Sequence, residues 1–337
     1  MTSIDMQHNE RLARLRSMVD RRLAQHLRSG RPGDLRTASR YVMAGGGKRV
    51  RSTLVQLSCE AVGGRPEAAV HAGAAIELMH NFTLVHDDIM DRARSRRGRP
   101  TVHVAWDLNT ALLVGDILLG HAYDLLLKSD QRVLSRLSSS FTRGLLDVCE
   151  GQAMDLEFGH REDVRVRDYF AMIELKTGRL LSLACEMGGM LGGGGQKDLS
   201  TLRSFGHYLG RAFQLQDDLL DVIADQKRLG KPIGGDIIEG KRTYLLLTAL
   251  ERARGEDLRV LRSILKAGGR AGRGRLPRQV VVRRVADIYR RTGVLRDTER
   301  LVRLNTRRAL TSLDMLRPSP ARETLRWMAE QLVKRAS

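Results

Sequence analysis

Two acidic clusters of the same design are the residues best suited to chemistry. In the first, Asn81-Phe-Thr-Leu-Val-His-Asp-Asp-Ile-Met-Asp91, a helical turn of 100° per residue puts Asp87 and Asp91 on one face and Asp88 to the side. In the second, Phe213-Gln-Leu-Gln-Asp-Asp-Leu-Leu-Asp-Val-Ile-Ala-Asp225, Asp217, Asp221 and Asp225 align in the same way, with Gln214 on a neighbouring line. Like charges at i and i+4 repel, and both segments are apolar around their carboxylates, so each cluster calls for a bound cation. Hard oxygen ligands without imidazole or thiolate suit Mg²⁺, which takes its remaining ligands from water and phosphate. A diphosphate is the natural bridge between two such clusters.

Basic motifs supply the matching charge. Gly45-Gly-Gly-Lys-Arg-Val-Arg51 is a glycine turn opening a helix on which Lys48 and Arg51 share a face, a combination of amides and cations that binds anions. It is not a Walker A loop, because Val stands at 42 and Arg49 follows Lys48. Arg96-Arg97-Gly98-Arg99-Pro100-Thr101 begins five residues beyond Asp91, and Lys176-Thr177-Gly178, Gly230-Lys231-Pro-Ile-Gly-Gly-Asp236 and Gly240-Lys241-Arg-Thr243 follow. Singly, each motif fits a solvated charged face equally well. Two acidic copies ringed by basic ones point to phosphate-bearing substrates. Of 58 basic residues only nine are lysines, and four of these, Lys48, Lys176, Lys231 and Lys241, fall inside the motifs, where a compact ammonium is not replaced by a guanidinium.

The elements that must position these groups read as helices. Apolar residues recur at three and four along Asn9–His26, Ser52–Val62, Glu67–Asp91, Thr110–Leu127, Val133–Gly151, Arg167–Met187, Leu199–Asp225 and Thr243–Ala253, and strand-like alternation is hard to find. Breaks are expected at Gly30–Asp34, Gly45–Gly47, Gly63–Pro66, Arg94–Pro100, Gly188–Gly195 and Leu229–Gly235. The expected fold is all-α, a single-domain helical bundle over residues 1–337 around a central cavity, with a mobile Gly/Arg-rich loop at about 267–277 and two helices after it.

Composition excludes several other classes. With 42% hydrophobic and 29% charged residues the chain of 337 is globular, and its stretches free of charge are too short for a membrane span. The start, MTSIDMQHNERL, has no basic segment leading into an apolar one, which points to the cytoplasm. Cys59, Cys149 and Cys185 lack zinc or disulfide spacing and read as small buried apolar residues. The net charge of +19 lies mostly in residues 251–337, with 23 basic residues against 9 acidic ones. Without aromatic interleaving or an RNP-like motif, a solvated basic face is preferred to nucleic-acid binding, and a peripheral membrane contact is compatible with it.

Taken in order, GGK-R-x-R, H-x-x-x-L-V-H-DD-x-x-D, RRG-x-PT, KTG, F-Q-x-Q-DD-x-x-D and GK-x-x-G-x-D-x-x-x-GK-x-T resemble the trans-isoprenyl diphosphate synthases, or polyprenyl synthetases, from about Arg40 to Leu247. Ser52 and Tyr244-Leu245 depart from the usual pattern without removing a ligand. The resemblance implies that Asp87, Asp88, Asp91, Asp217, Asp218 and Asp221 hold three Mg²⁺ ions per active site around an allylic diphosphate. It assigns Arg96, Lys176, Lys231 and Lys241 to gripping that diphosphate, and Thr177 and Gln214 to the developing allylic cation. Gly47, Lys48, Arg51, His80 and Arg97 match the pocket for isopentenyl diphosphate, and a homodimer is the family expectation. His80 by itself would read as a satisfied core histidine.

The chemistry implied is ionisation of the allylic C–O bond, alkylation of isopentenyl diphosphate, and loss of a proton to released diphosphate. Asp87, Asp91, Lys176, Asp217 and Lys231 would carry it. Phe82 lies five residues before Asp87, about 7.5 Å along the helix, and Thr83, four before, is small. That pattern resembles archaeal-type geranylgeranyl diphosphate synthases and implies a C20 product, with Met79 a second candidate for the stop. A C15 or C25 product, or a silent partner subunit, are the alternatives.

Overall fold

Apolar residues at helical spacing produce helices nearly throughout the structure, a computed structural model that describes residues 3–28, 33–223, 234–267 and 277–334. In chain order these are α1 (Ser3–His26), α2 (Asp34–Ala44), α3 (Val50–Ala61), a 3₁₀ turn (Pro66–Ala69) and α4 (Val70–Met90). A hairpin of β1 (Ser95–Arg96) and β2 (Arg99–Pro100) leads to α5 (Val102–Ala105), α6 (Leu108–Leu126), α7 (Leu134–Phe158) and α8 (Val166–Ile173). A π-helical turn, Glu174–Gly178, joins α8 to α9 (Arg179–Leu191), followed by α10 (Gln196–Ile223), α11 (Gly235–Glu239), α12 (Tyr244–Arg252) and α13 (Gly255–Ala267). The chain ends with α14 (Arg278–Arg291), α15 (Val294–Leu313) and α16 (Pro320–Lys334). The expected all-α class is what is found, and among the described residues the hairpin is the only sheet.

Two compact units carry the two acidic motifs. The first comprises 1–145, 180–203 and 312–327 and holds Asp87–Asp91; the second comprises 146–179, 204–311 and 328–337 and holds Asp217–Asp221. In the first unit α4 packs against α1, α3 and α6, and its Ala72, Ala74, Ala75, Ile76, Leu78 and Met79 are fully buried. A helix apolar on all sides must lie inside, so the first motif rides on the end of a core helix. Gly115 of α6 lets His86 of α4 close on it, because a Cβ there would clash with the imidazole. In the second unit one apolar cluster joins Phe158, Tyr169, Met172, Ile173, Leu215, Leu247 and Val302, fixing α8 and α10 under the second motif.

Several boundaries differ from the sequence reading. Arg94–Pro100 is not a plain loop: Ser95 pairs with Pro100 and Arg96 with Arg99, and the turn residues Arg97 and Gly98 have φ of 53° and 73°. Positive φ at both turn positions matches the twist of a tight hairpin. α9 does not stop at Met187 but runs through Gly188 and Gly189 to Leu191, since glycine here serves close packing rather than a break. Three helices rather than two follow residue 277, separated at Gly293, with φ of 76°, and at Pro318-Ser319-Pro320. Cys59 and Cys185 are buried, their thiols pushed up to about 12 by burial, but Cys149 sits on an exposed face of α7. The loop expected at 267–277 lies, apart from its end residues, outside the described residues. Among those described, no helix is long and apolar enough to cross a membrane.

The α3–α9 contact gives a direct check on this packing. A Cβ at Gly188 would clash with the carbonyl oxygen of Val55 and lie 2.7 Å from Ser58 Cβ. Gly188→Ala should therefore destabilise the protein by about 1–3 kcal/mol through overpacking, read as a lower urea midpoint.

Candidate active site

The first unit gathers the basic residues of the two glycine motifs around α4. Gly46 and Gly47 have φ of 71° and 150°, and Arg49, at φ 47°, caps α3 in the left-handed region. That backbone turns alternate side chains different ways. Arg49 is buried, donating from Nε to Asp20 Oδ1 at 2.9 Å and from Nη2 to the Met43 carbonyl at 3.3 Å, and its Nη1 lies 3.7 Å from Glu77 Oε2. Glu77 in turn accepts from the Ser52 amide at 3.0 Å. Arg49 is thus spent on structure, whereas Lys48 is exposed and Arg51 half-buried.

Arg97 donates to the Gly46 carbonyl, and its guanidinium would stand 3.2 Å from any Cβ at position 47, which accounts for Gly47. His80 is held well below the usual imidazole pKa, first by burial and then by the charges of Arg51, Arg97, Arg96 and Arg49. These positive groups converge on a neutral imidazole, so the expected members Arg51, His80 and Arg97 do come together. A cavity of about 50 Å³ beside them is lined by Tyr41, Gly45, Asp88, Arg96, Arg97 and Arg99. Tyr41 was not anticipated: Arg99 lies 3.8 Å over its ring and donates to its carbonyl at 3.2 Å, while Tyr41 donates its hydroxyl to the Pro100 carbonyl at 2.8 Å.

Within the first acidic motif the three carboxylates differ. Asp88 is buried and both its oxygens accept from Arg96 Nε, at 2.8 and 3.0 Å. Burial raises its pKa and Arg96 opposes the rise. Asp87 is half-buried and Asp91 exposed. On the same helix Phe82 is 8% exposed with its ring centroid 4.8 Å from that of His86, Met79 is fully buried, and Thr83 donates its hydroxyl to the His80 carbonyl at 2.8 Å.

The second unit repeats the pattern with different partners. Asp217 is exposed, whereas buried Asp218 accepts from Tyr169 Oη at 2.7 Å and Gln214 Nε2 at 2.8 Å. Gln214 Oε1 accepts from Thr177 Oγ1 at 2.7 Å. Asp221 accepts the amides of Gly235 and Asp236, at 3.2 and 3.0 Å. Burial and then the charge of Asp236 raise the Asp218 pKa, while hydrogen bonds from Tyr169 and Gln214 pull it down. Asp236 itself is raised to about 6 by burial, against the pull of Lys241.

Lys176 forms an ion pair with Asp155 at 2.5 Å, and Lys241 reaches Glu239 at 3.2 Å and Asp236 at 3.5 Å. Lys176, Asp155, Lys241 and Asp236 line a cavity of about 90 Å³ together with Thr177, Gln214 and Asp218. Lys231, like Asp225, lies outside the described residues. Asp155 and Tyr169 escaped the sequence reading because a single Asp in Gly151-Gln-Ala-Met-Asp155 and a single Tyr on an apolar face carry no spacing signal. Among the described residues no three of His, Cys, Asp and Glu converge as a ready metal cage. The ligands that both motifs offer are hard carboxylates, which fits Mg²⁺ completed by substrate oxygens rather than a closed protein site.

Comparison with known proteins identifies the family. Residues 33–279 match the polyprenyl synthetase family. A short chain isoprenyl diphosphate synthase of Methanothermobacter thermautotrophicus is 37% identical over 325 residues, covering 96% of this chain and 97% of the relative. Among solved structures, the geranylgeranyl pyrophosphate synthetase of Pyrococcus horikoshii superposes with a TM-score of 0.88 at 34% identity, over 97% of this chain and 99% of that one. The geranylgeranyl pyrophosphate synthase of Corynebacterium glutamicum, complexed with isoprenyl diphosphate and magnesium, gives 0.87 at 29% identity, over 96% and 99%. The chain belongs to the polyprenyl synthetase family, the trans-isoprenyl diphosphate synthases, and has their all-α fold. It is a chain-elongating prenyltransferase of the Mg²⁺-dependent kind.

The neutral state of His80 has a consequence for stability. Its pKa in the folded protein lies below the unfolded value of 6.5, so above pH 6.5 neither state gains. As pH falls below that value the unfolded chain binds a proton the folded chain resists, and stability is lost. His80→Gln should flatten the fall in Tm between about pH 6.5 and 5. His26, His71, His121 and His207, also lowered by burial, supply the remaining slope.

Proposed function

We propose that the protein condenses isopentenyl diphosphate with an allylic diphosphate to make a C20 product, geranylgeranyl diphosphate. The observation that carries the chain length is Phe82, an aromatic five residues before Asp87 and buried on the same helix, with small Thr83 following it. Met79, one turn earlier and fully buried, is the second candidate for the stop.

In this reading Lys48, Arg51, His80 and Arg97, with Gly47 at the edge, bind the diphosphate of isopentenyl diphosphate. Neutral His80 donates a hydrogen bond there without adding charge to an already cationic pocket. Arg96, Lys176, Lys231 and Lys241 grip the allylic diphosphate. Arg96 meets Asp88 through Nε, so its Nη groups can face phosphate. Asp87 and Asp91 with Asp88, and Asp217 with Asp218 and Asp221, are the carboxylates that would hold Mg²⁺, three ions per active site. Asp88, Asp218 and Asp221 also accept hydrogen bonds from protein donors, which orients the motifs. When bound, Mg²⁺ neutralises the diphosphate and makes it a better leaving group.

The side chains then manage charge and water. The cationic side chains stabilise the diphosphate as it takes the electron pair of the breaking C–O bond. Thr177 and Gln214 face the resulting allylic cation with oxygen lone pairs. The alkene of isopentenyl diphosphate attacks that carbon, and the new tertiary cation loses a proton to the released diphosphate. No side-chain nucleophile takes part.

A homodimer belongs to this proposal. It is supported by α6, where Leu108, Leu112 and Leu113 are 52%, 42% and 48% exposed, more apolar surface than a lone helix face usually leaves to water. The site of action proposed is the cytoplasm.

Purified protein incubated with Mg²⁺, isopentenyl diphosphate and dimethylallyl, geranyl or farnesyl diphosphate should yield mainly C20 product, abolished by EDTA. Phe82→Ala should lengthen the product, and Asp87→Ala should lower kcat by about 10³-fold or more. A C15 or C25 main product would overturn the Phe82 stop while keeping the reaction. No turnover by folded protein would favour the silent-subunit reading. On a sizing column with light scattering the chain should run as a dimer, and Leu112→Glu should shift it towards monomer.

A further inference from the structure

Tyr169 is buried, 1% exposed, on α8, and its hydroxyl donates to Asp218 Oδ2 at 2.7 Å. The other oxygen of Asp218 accepts from Gln214 Nε2 at 2.8 Å, and Gln214 Oε1 accepts from Thr177 Oγ1 at 2.7 Å. The order of donors is set by what each group can do. An amide nitrogen only donates and an amide oxygen only accepts, and Gln214 places its NH₂ at Asp218 Oδ1 and its carbonyl oxygen at Thr177. Thr177 must then donate its single proton to Gln214. Thr177 and Gln214 both line the cavity, and this chain uses neither lone pair of Thr177 Oγ1 and only one of Gln214 Oε1.

The backbone brings the chain together. The π-helical turn Glu174–Gly178 shifts Thr177 relative to a regular helix, and bare α-carbons at Gly178 and Gly210 let the turn and α10 touch, since a Cβ at Gly210 would lie 2.5 Å from Gly178 Cα. With the partners this close, the free choice left is the direction of the hydrogen bonds.

We propose that Tyr169 is a positioning residue for the ionisation step: with Asp218 it anchors a one-way hydrogen-bond chain that fixes the lone pairs of Thr177 and Gln214 against the allylic carbon. It does not touch substrate. Its effect arises as the C–O bond breaks, the electron pair leaves with diphosphate, and positive charge develops on the carbon these oxygens face. Lone pairs already oriented need no reorganisation at that moment. Were the chain free to reverse, Gln214 would present NH₂ to Thr177, and Thr177 would present a proton where a cation forms. This inference rests on the proposed roles of Thr177 and Gln214.

The test is a double-mutant cycle of Tyr169→Phe with Thr177→Val, scored by steady-state kinetics with farnesyl and isopentenyl diphosphates. Tyr169→Phe should lower kcat about tenfold, about 1.4 kcal/mol, while both KM values stay within about twofold and Tm changes little. In the Thr177→Val background, where only the Gln214 lone pairs are left to orient, Tyr169→Phe should cost distinctly less than in the wild type. Thr177→Ser, which keeps the hydroxyl, should retain the full Tyr169→Phe effect. Additive losses, or a loss carried in KM or Tm, would overturn the proposal and make Tyr169 a packing residue. Should Tyr169→Phe fail to fold, the Gln214→Glu and Thr177→Val cycle asks the same question, since a carboxylate at 214 cannot donate to Asp218, and additivity there would equally overturn it. A wild-type protein without turnover would sink the proposed reaction itself, an outcome distinct from additivity.

Discussion

Negative charge on a core helix must be answered from within the protein, and most of this structure's polar order follows from that demand. An isolated carboxylate loses several kcal/mol of solvation on burial, so a buried one persists only with donors on its oxygens. Asp88 obtains them from Arg96 and Asp218 from Tyr169 and Gln214. Asp221 is answered by the backbone amides of Gly235 and Asp236. Within each motif burial differs, Asp88 and Asp218 being buried and Asp91 and Asp217 exposed. The repeat of Asp-Asp-x-x-Asp is therefore a repeat of charge compensation as much as of ligand supply.

The cationic side of the first unit obeys the same rule with the sign reversed. Several arginines close together lower one another's tendency to stay charged and suppress any further cation. The outcome is a neutral His80 and an Arg97 pKa held below the usual arginine value, by burial and then by Arg96 and Arg49. Arg49 escapes by pairing inward with Asp20 and Glu77. What remains is a pocket with positive charge that an anion would relieve. Lys176 and Lys241, in the second unit, instead meet carboxylates of Asp155, Glu239 and Asp236, partners with which a diphosphate would compete.

Bare α-carbons make these arrangements possible. Gly151 of α7 lets Lys176 approach where a Cβ would clash with its backbone nitrogen, Gly115 admits His86, and Gly178 with Gly210 brings Thr177 to Gln214. Each puts a functional side chain within hydrogen-bond or packing distance of a partner on another helix.

Periodicity and motif spacing alone determined the helical class, the two acidic faces, and the identity of the basic groups, because a helix with 3.6 residues per turn converts spacing directly into a shared face. They also reached Thr177 and Gln214, through motif resemblance. Beyond one helix that conversion stops. Which arginine of Lys48-Arg49-Val50-Arg51 faces inward depends on the left-handed backbone at Arg49; the run of glycines from 188 looks like a break until α3 is seen against it; and the hairpin at 95–100 depends on positive φ at Arg97. Cys149 is exposed because α7 turns that face outward, which composition does not reveal. Asp155 and Tyr169 are isolated in sequence and acquire meaning only from Lys176 and Asp218, 21 and 49 residues away. The sequence by itself determined which chemical groups are available and which face of a helix each occupies; tertiary structure decided which of them are paired and which are presented, because burial and hydrogen-bond partners arise between helices and leave no period along the chain.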